Sequence, residues 1–62
     1  MDARRAEEIL KSPEKIGVRY RNNHVWIESV NKHHNKAYVT YLEKKNTVEV
    51  EIDHLREEGP MD

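Results

Sequence analysis

The 62-residue chain has no cysteine and no phenylalanine, and it has only two glycines and two prolines. Without cysteine it can form neither disulfides nor thiolate metal sites. A domain of this size buries only roughly 60% of the surface of its unfolded chain, so its core is marginal. Oligomerisation is a natural supplement, and we therefore expect a homodimer in preference to a monomer.

Long apolar runs are also absent. No segment approaches the ~20 residues of a membrane-spanning helix, and the N-terminal segment lacks the apolar core of a signal peptide. These absences predict a soluble protein in the cytoplasm of its cell, with no membrane partner.

Charge is nearly balanced overall but unevenly spread. The net charge is −1, with +3 over residues 1–36 and −4 over residues 37–62. Nucleic-acid binders usually have a clustered basic surface and a high pI, so this balance gives little support for tight DNA binding. This uneven distribution of charge is typical of ordinary solvent-exposed surfaces. It also leaves open a head-to-tail association of two copies.

The segment MDARRAEEILKS has the pattern of a short amphipathic helix. Asp2 is placed to cap its first turn, and Ser12 before Pro13 is placed to end it. One apolar stripe at spacings of three and four is formed by Ala3, Ala6, Ile9 and Leu10. A helix of about ten residues is unstable alone in water, so we expect it to dock on the rest of the domain.

Four segments alternate as strands do, namely IGVRY, HVWIESV, AYVTYL and TVEVEI. Asn22-Asn23 predicts a two-residue hairpin turn, since asparagine tolerates positive φ. That turn would place Arg19 opposite Trp26 and Arg21 opposite His24. Val30 breaks the alternation of its strand and predicts a bulge near Glu28-Ser29.

The end of the chain has weaker patterns. Residues 53–55 predict a single helical turn, and residues 56–62, with Gly59-Pro60, predict a frayed tail. The sequence thus predicts an α+β domain over residues 1–58 and a frayed tail over residues 59–62. The domain is a short N-terminal helix packed on a four-stranded antiparallel meander, which could curl into a small SH3-like barrel.

No pattern of catalytic or metal-binding residues stands out. The four histidines, at 24, 33, 34 and 54, lack the spacing of a metal site. The serines lack a positioned base and a nucleophile-elbow pattern. We therefore expect no catalytic residues, no metal or other cofactor, and no small-molecule substrate.

The outer face of the first hairpin holds the candidate contact residues. Arg19 opposite Trp26 suits a cation–π contact, and Arg21 with the helix residues Arg4 and Arg5 adds basic character on which nucleic acid could bind. Three interpretations of Trp26 stay open at this point. The docked helix could cover it, or it could contact nucleic acid or another ligand, or it could lie in a dimer interface.

The chain resembles the H-type small acid-soluble spore proteins of endospore-forming bacteria. The resemblance is carried by MDARRAEEILKSPEKIGVRY, by HVWIESV, by AYV at 37–39 and by VEVEIDHLREE, in that order along residues 1 to about 58. It implies a protein made in the forespore and kept in the dormant spore core. It does not imply the DNA coating of the α/β-type spore proteins, whose chains are Gln/Asn-rich and largely disordered alone.

Two functions follow from these patterns. The first is a non-catalytic spore-core protein with a structural, storage or protein-contact role. The alternative is a nucleic-acid-binding accessory module that uses the basic and aromatic face of the first hairpin.

Overall fold

The computed structural model describes residues 1–14 and 16–60 of the chain. The elements in chain order are α1 (Ala3–Lys11), β1 (Ile16–Tyr20), β2 (Asn23–Asn31), β3 (Lys36–Tyr41), β4 (Thr47–Glu51), a 3-10 turn (Ile52–His54) and β5 (Leu55–Pro60). The predicted α+β class is confirmed, with five strands in place of the predicted four.

Helix α1 begins and ends where its local sequence indicates. The Asp2 side chain accepts a hydrogen bond of 2.8 Å from the backbone N–H of Arg5, which satisfies one of the unpaired donors of the first turn. Ser12 is extended, as a residue before proline tends to be, and its N–H donates to the carbonyl of Ile9. Both predicted helix ends are confirmed.

The first hairpin has a different register from the predicted one. Tyr20 pairs with Asn23 and Val18 with Val25, so Arg21 and Asn22 form the turn, and both have positive φ. The prediction failed because turn chemistry favours two asparagines over an arginine at such positions. A shift of two residues also leaves each side chain on its predicted face, so hydrophobic alternation could not detect the error.

The irregularity predicted in β2 is confirmed. Ile27 pairs with Val39, whereas Ser29 pairs with Tyr38, so one residue of β2 is inserted between them. Beyond this bulge Val30 pairs with Ala37 and joins the partly buried residues around the core. The bulge thus returns the apolar residues at the end of β2 to the core side.

The last strand is the main departure from the sequence-based fold. The predicted helical turn before it is confirmed as a 3-10 turn, but the residues after it form β5 rather than a frayed tail. Strand β5 pairs with β1, with Leu55 opposite Tyr20 and Gly59 opposite Gly17. Of the predicted tail, residues 59 and 60 therefore lie in a strand, and residues 61–62 lie outside the described part of the chain.

The sheet has the strand order β4-β3-β2-β1-β5, with antiparallel neighbours. The first four strands form the predicted meander, and β5 returns after the 3-10 turn to the far side of β1. In the described residues no ladder joins β4 to β5, so the sheet is open there.

The hydrophobic core lies between α1, the 3-10 turn and one face of the sheet, which we call the helix-covered face. Its buried residues are Ala6, Ile9, Val18, Val25, Ile27, Ala37, Val39, Val50, Ile52 and Leu55. Within the described part of the chain, no polar or charged residue is buried. The opposite side of the sheet is the open face, since side chains alternate between the two faces along each strand.

The helical content of the structure bears on membrane insertion. Over residues 1–14 and 16–60, the structure contains no helix with the length and apolar character needed to cross a bilayer.

Candidate functional site

The two predicted contact residues on α1 have different surroundings. Arg4 is exposed. Arg5 forms a two-point ion pair with Glu57 of β5, in which its Nε donates to Oε1 at 2.7 Å and its Nη2 to Oε2 at 2.6 Å. These hydrogen bonds raise the pKa of Arg5 further above its ordinary value and lower the pKa of Glu57. Arg5 is therefore engaged in holding the helix to the sheet.

Arg19 lies on the open face, but its neighbours are not the predicted ones. It pairs with His24 on one side and with Arg56 on the other, so the predicted cross-strand pair with Trp26 is wrong. Its Nη2 is 2.9 Å from Oε2 of Glu58. Glu58 also lies 3.1 Å from Nδ1 of His24 through its other oxygen. The reason for the error is the two-residue shift in register.

Arg21 occupies the first position of the hairpin turn with φ of 48°. Its guanidinium carbon is 5.4 Å from the centroid of the Tyr20 ring, within the range of a cation–π contact. A cation–π contact is therefore present in this hairpin, between sequence neighbours rather than across the strands.

Trp26 is half-buried and pairs with Thr40 across the β2–β3 ladder. It lines an open groove of about 420 Å³ together with residues of the helix end and the following segment, namely Ile9, Leu10, Ser12, Pro13, Glu14, Ile16 and Ile27. Val25 and Ile27 on either side of Trp26 are buried in the core, so alternation along β2 places Trp26 on the open face. The groove also leaves part of the ring accessible.

The five predicted residues do not share one surface. Arg19 and Arg21 line one cleft, whereas Trp26 lines the groove at the end of α1. Arg5 is paired with Glu57, and Arg4 is exposed on the helix. The structure therefore brings together two of the five.

Sequence reasoning missed two basic residues that complete the cleft of Arg19 and Arg21. Its lining is Arg19, Arg21, Asn22, His54 and Arg56, and its volume is about 380 Å³. Arg56 was assigned to a frayed tail, so its pairing with Arg19 could not be foreseen. The available signal was Leu55, the apolar last residue of the predicted helical turn.

Three of the histidines have polar partners in the structure. His24 contacts Glu58 and His54 contacts Glu51 at 3.5 Å, while His34 is hydrogen-bonded to Asn31 at 3.1 Å. Among residues 1–14 and 16–60 there is no group of three or more His, Cys, Asp or Glu side chains that could hold a metal ion.

The acidic groups with perturbed ionisation are both held in their charged form. The pKa of Glu7 is lowered by a hydrogen bond from Lys32 and by the charge of Lys11, and the two lysines lie 3.0 and 3.6 Å from its carboxylate. The pKa of Glu57 is lowered by Arg5. Glu7 thus pairs with Lys11 in the next turn of α1 and with Lys32 after β2. Glu57 of β5 pairs with Arg5 of α1.

Comparison with known proteins places the chain in a family. The model of the small acid-soluble spore protein H family matches residues 1–57. None of the curated proteins matches the chain, and no solved structure matches it. The matched range includes α1, the whole meander, the 3-10 turn and the part of β5 that pairs with Arg19. The chain therefore belongs to the small acid-soluble spore protein H family and is a spore protein associated with sporulation.

Proposed function

We propose that this protein is a non-catalytic component of the dormant spore core that acts by contact with other protein molecules as a folded domain. The observation that carries this proposal is the set of ion pairs that fasten α1 to the rest of the fold. Arg5 pairs with Glu57 of β5, and Glu7 pairs with Lys32 in the loop after β2. These pairs join residues far apart in the chain, as expected of a domain that is folded before it meets a partner.

The ionisation of the carboxylates supports a non-catalytic role. A glutamate that serves as a general acid near neutral pH has a raised pKa, commonly through burial. Here the pKa values of Glu7 and Glu57 are shifted downward by their cationic partners. The clefts of the described surface are also open, whereas an enzyme site usually excludes water from the reacting groups.

The spore core is the finer location that we propose within the spore. It can be tested by removing the coat from purified dormant spores and measuring the protein by quantitative mass spectrometry. We expect the protein in the decoated fraction that is released when the cortex is digested. Recovery in the coat extract would contradict this location.

A contact role requires the folded protein, whereas a storage role does not. We compare spores that carry the wild-type chain, no chain, Ile52→Ala in the core or Lys45→Ala in an exposed turn, at equal protein levels. A contact role predicts that Ile52→Ala resembles the deletion in heat survival and outgrowth, while Lys45→Ala resembles the wild type. A storage role predicts that both variants resemble the wild type, because an unfolded chain supplies the same amino acids.

The nucleic-acid module remains the second candidate. It is favoured by the shared cleft of Arg19 and Arg21, and it is weakened by the distribution of the other predicted residues over separate surfaces. Titration with single- and double-stranded DNA at low and moderate salt tests it. Saturable, salt-weakened binding that is lost in the double variant Arg19→Ala/Trp26→Ala would place it first.

A further inference from the structure

The pairing of β1 with β5 brings basic side chains together at one cleft. Arg19 and Arg56 lie directly opposite each other in the ladder, although like charges in this position destabilise a sheet. Arg21 and His54 line the same cleft. We call these four residues the basic cluster.

Fewer carboxylates than arginines make contacts in the basic cluster. Glu58 is the carboxylate that contacts Arg19, and it is shared with His24. His54 has Glu51 at 3.5 Å. In the described part of the chain no carboxylate forms an ion pair with Arg21 or Arg56, and the Nε atom of Arg19 is buried without a hydrogen-bond partner. The cleft therefore presents guanidinium groups whose charge is not matched from within the fold.

The hairpin turn fixes the position of Arg21 relative to the cleft. Arg21 has φ of 48° and Asn22 has φ of 65°, as a two-residue turn between antiparallel strands requires. Asparagine and glycine adopt this left-handed conformation more readily than arginine, so the turn keeps an arginine beside the cleft at a conformational cost.

We propose that the basic cluster binds a compact anion carrying two or more phosphate groups, such as pyrophosphate or the phosphate chain of a nucleotide. Arginine presents a planar fork of N–H donors that matches the oxygens of phosphate. Two arginines facing each other across a ladder, with a third at the adjoining turn, can contact successive phosphate groups from different sides. The cleft, at about 380 Å³, has room for such a chain.

A compact anion fits this surface better than an extended nucleic-acid strand. The adjoining cleft, which shares Arg19, Asn22 and Arg56, is bordered by Glu57 and Glu58. The phosphates of a strand running across the face would meet these carboxylates, whereas a short phosphate chain ends before them. The ring of Tyr20 is also faced by Arg21, which reduces its use as a stacking platform for bases.

The test is a titration of the isotope-labelled full chain by amide NMR with pyrophosphate, with ATP and with a short single-stranded oligonucleotide. The informative variant is Arg56→Ala, and its matched control is Arg4→Ala, which removes an exposed arginine of equal charge from α1. We expect saturable shifts at the four residues of the basic cluster. Arg56→Ala should weaken pyrophosphate binding by about tenfold or more, as for loss of a charged hydrogen bond, and Arg4→Ala should bind like the wild type.

The three ligands also distinguish the source of the phosphates. Equal affinity for pyrophosphate and ATP supports recognition of the phosphate chain alone, and tighter binding of ATP supports a nucleotide. Equal effects of Arg56→Ala and Arg4→Ala would overturn the proposal, as would absence of saturable shifts. Binding of the oligonucleotide without pyrophosphate, with shifts at Arg4 and Trp26, would overturn it in favour of a nucleic-acid surface.

Discussion

The two faces of the sheet differ in how they balance charge, and the difference is clearest at two neighbouring residues of β5. Glu57 lies opposite Val18 of the helix-covered face and binds Arg5 of α1 through both carboxylate oxygens. Glu58 is the extra residue at the register shift in this ladder, and it contacts Arg19 and His24 of the open face. Alternation along β5 thus directs these consecutive carboxylates to opposite sides of the sheet.

The comparison separates charge that holds the fold together from charge that remains available. On the helix-covered side, Arg5 forms two hydrogen bonds to Glu57 and has a second carboxylate, Glu8, at 3.6 Å. On the open side, the carboxylate of Glu58 is shared, and Arg56 has no carboxylate partner among the described residues. The first arrangement tethers α1 to β5, whereas the second leaves net positive charge where a ligand could reach it.

The largest expected effect comes from the core beneath the helix-covered face. Ile52 is fully buried, so Ile52→Ala should lower the free energy of unfolding by about 2–5 kcal/mol through lost contacts and a residual cavity. Tyr38 on the open face is 47% exposed, and Tyr38→Ala should cost less than about 0.5 kcal/mol. Urea denaturation followed by Trp26 fluorescence measures both. Similar losses in the two variants would show that the open face is also part of the stabilising core.

A smaller effect of opposite sign is expected at the hairpin turn. Arg21→Gly should raise the free energy of unfolding by about 1 kcal/mol because glycine adopts the left-handed conformation without steric cost. The same variant should bind pyrophosphate more weakly. The control is Arg4→Gly in α1, which should lower the free energy of unfolding by about 0.5–1 kcal/mol. Stabilisation without any loss of pyrophosphate binding would remove Arg21 from the basic cluster.

The helix-side carboxylates predict a dependence of stability on pH. The pKa values of Glu7 and Glu57 lie below their ordinary value of 4.5 in the folded protein, so both groups stabilise the fold fully above about pH 4.5. This contribution is lost as the pH falls through their folded-state pKa values. We expect the free energy of unfolding to decline below about pH 4.5, and more gently in the double variant Glu7→Gln/Glu57→Gln. Denaturant titrations at several acidic pH values measure this decline, and identical slopes would show that these ion pairs do not contribute.

The smallest effect on stability is expected at the open face. Glu58→Gln removes the carboxylate shared by Arg19 and His24, whose side chains are 37% and 46% exposed, so the free energy of unfolding should change by less than about 1 kcal/mol. Affinity for pyrophosphate should rise severalfold, because one competing negative charge is gone. Glu49→Gln on β4 is the matched control and should leave affinity unchanged. Unaltered affinity in Glu58→Gln would indicate that the anion binds elsewhere.

Much of the fold follows from local patterns in the sequence. Asp2 and Pro13 mark the limits of α1, the alternation around Val18 and Val39 marks two strands, and the misplaced Val30 marks the bulge. These signals are local because each depends on a few neighbouring residues that share one turn of helix or one face of a strand. The α+β class could therefore be predicted before any long-range contact was known.

The candidate site could be predicted only in part, because it depends on pairing between distant segments. Arg19 and Arg21 were recognised, but Arg56 was not, since its strand has few apolar residues and ends in Gly59-Pro60. His54 was not assigned to this cleft because it lies in the 3-10 turn before that strand. Arg5 was expected to offer a free charge, yet its partner Glu57 is 52 positions away in the chain. Charge patterns in one segment do not reveal which side chains another segment will neutralise.

The sequence by itself determined the helix, the meander, the apolar residues of the core and the membership of the spore-protein family. Only the tertiary structure decided the register of the first hairpin, the existence of β5 and the grouping of four basic residues in one cleft. Register shifts of two residues preserve the hydrophobic pattern, and a polar edge strand forms only when a neighbour supplies its hydrogen bonds. The physical reason is the same in both cases: these features are stabilised by contacts between segments rather than by the preferences of the segments themselves.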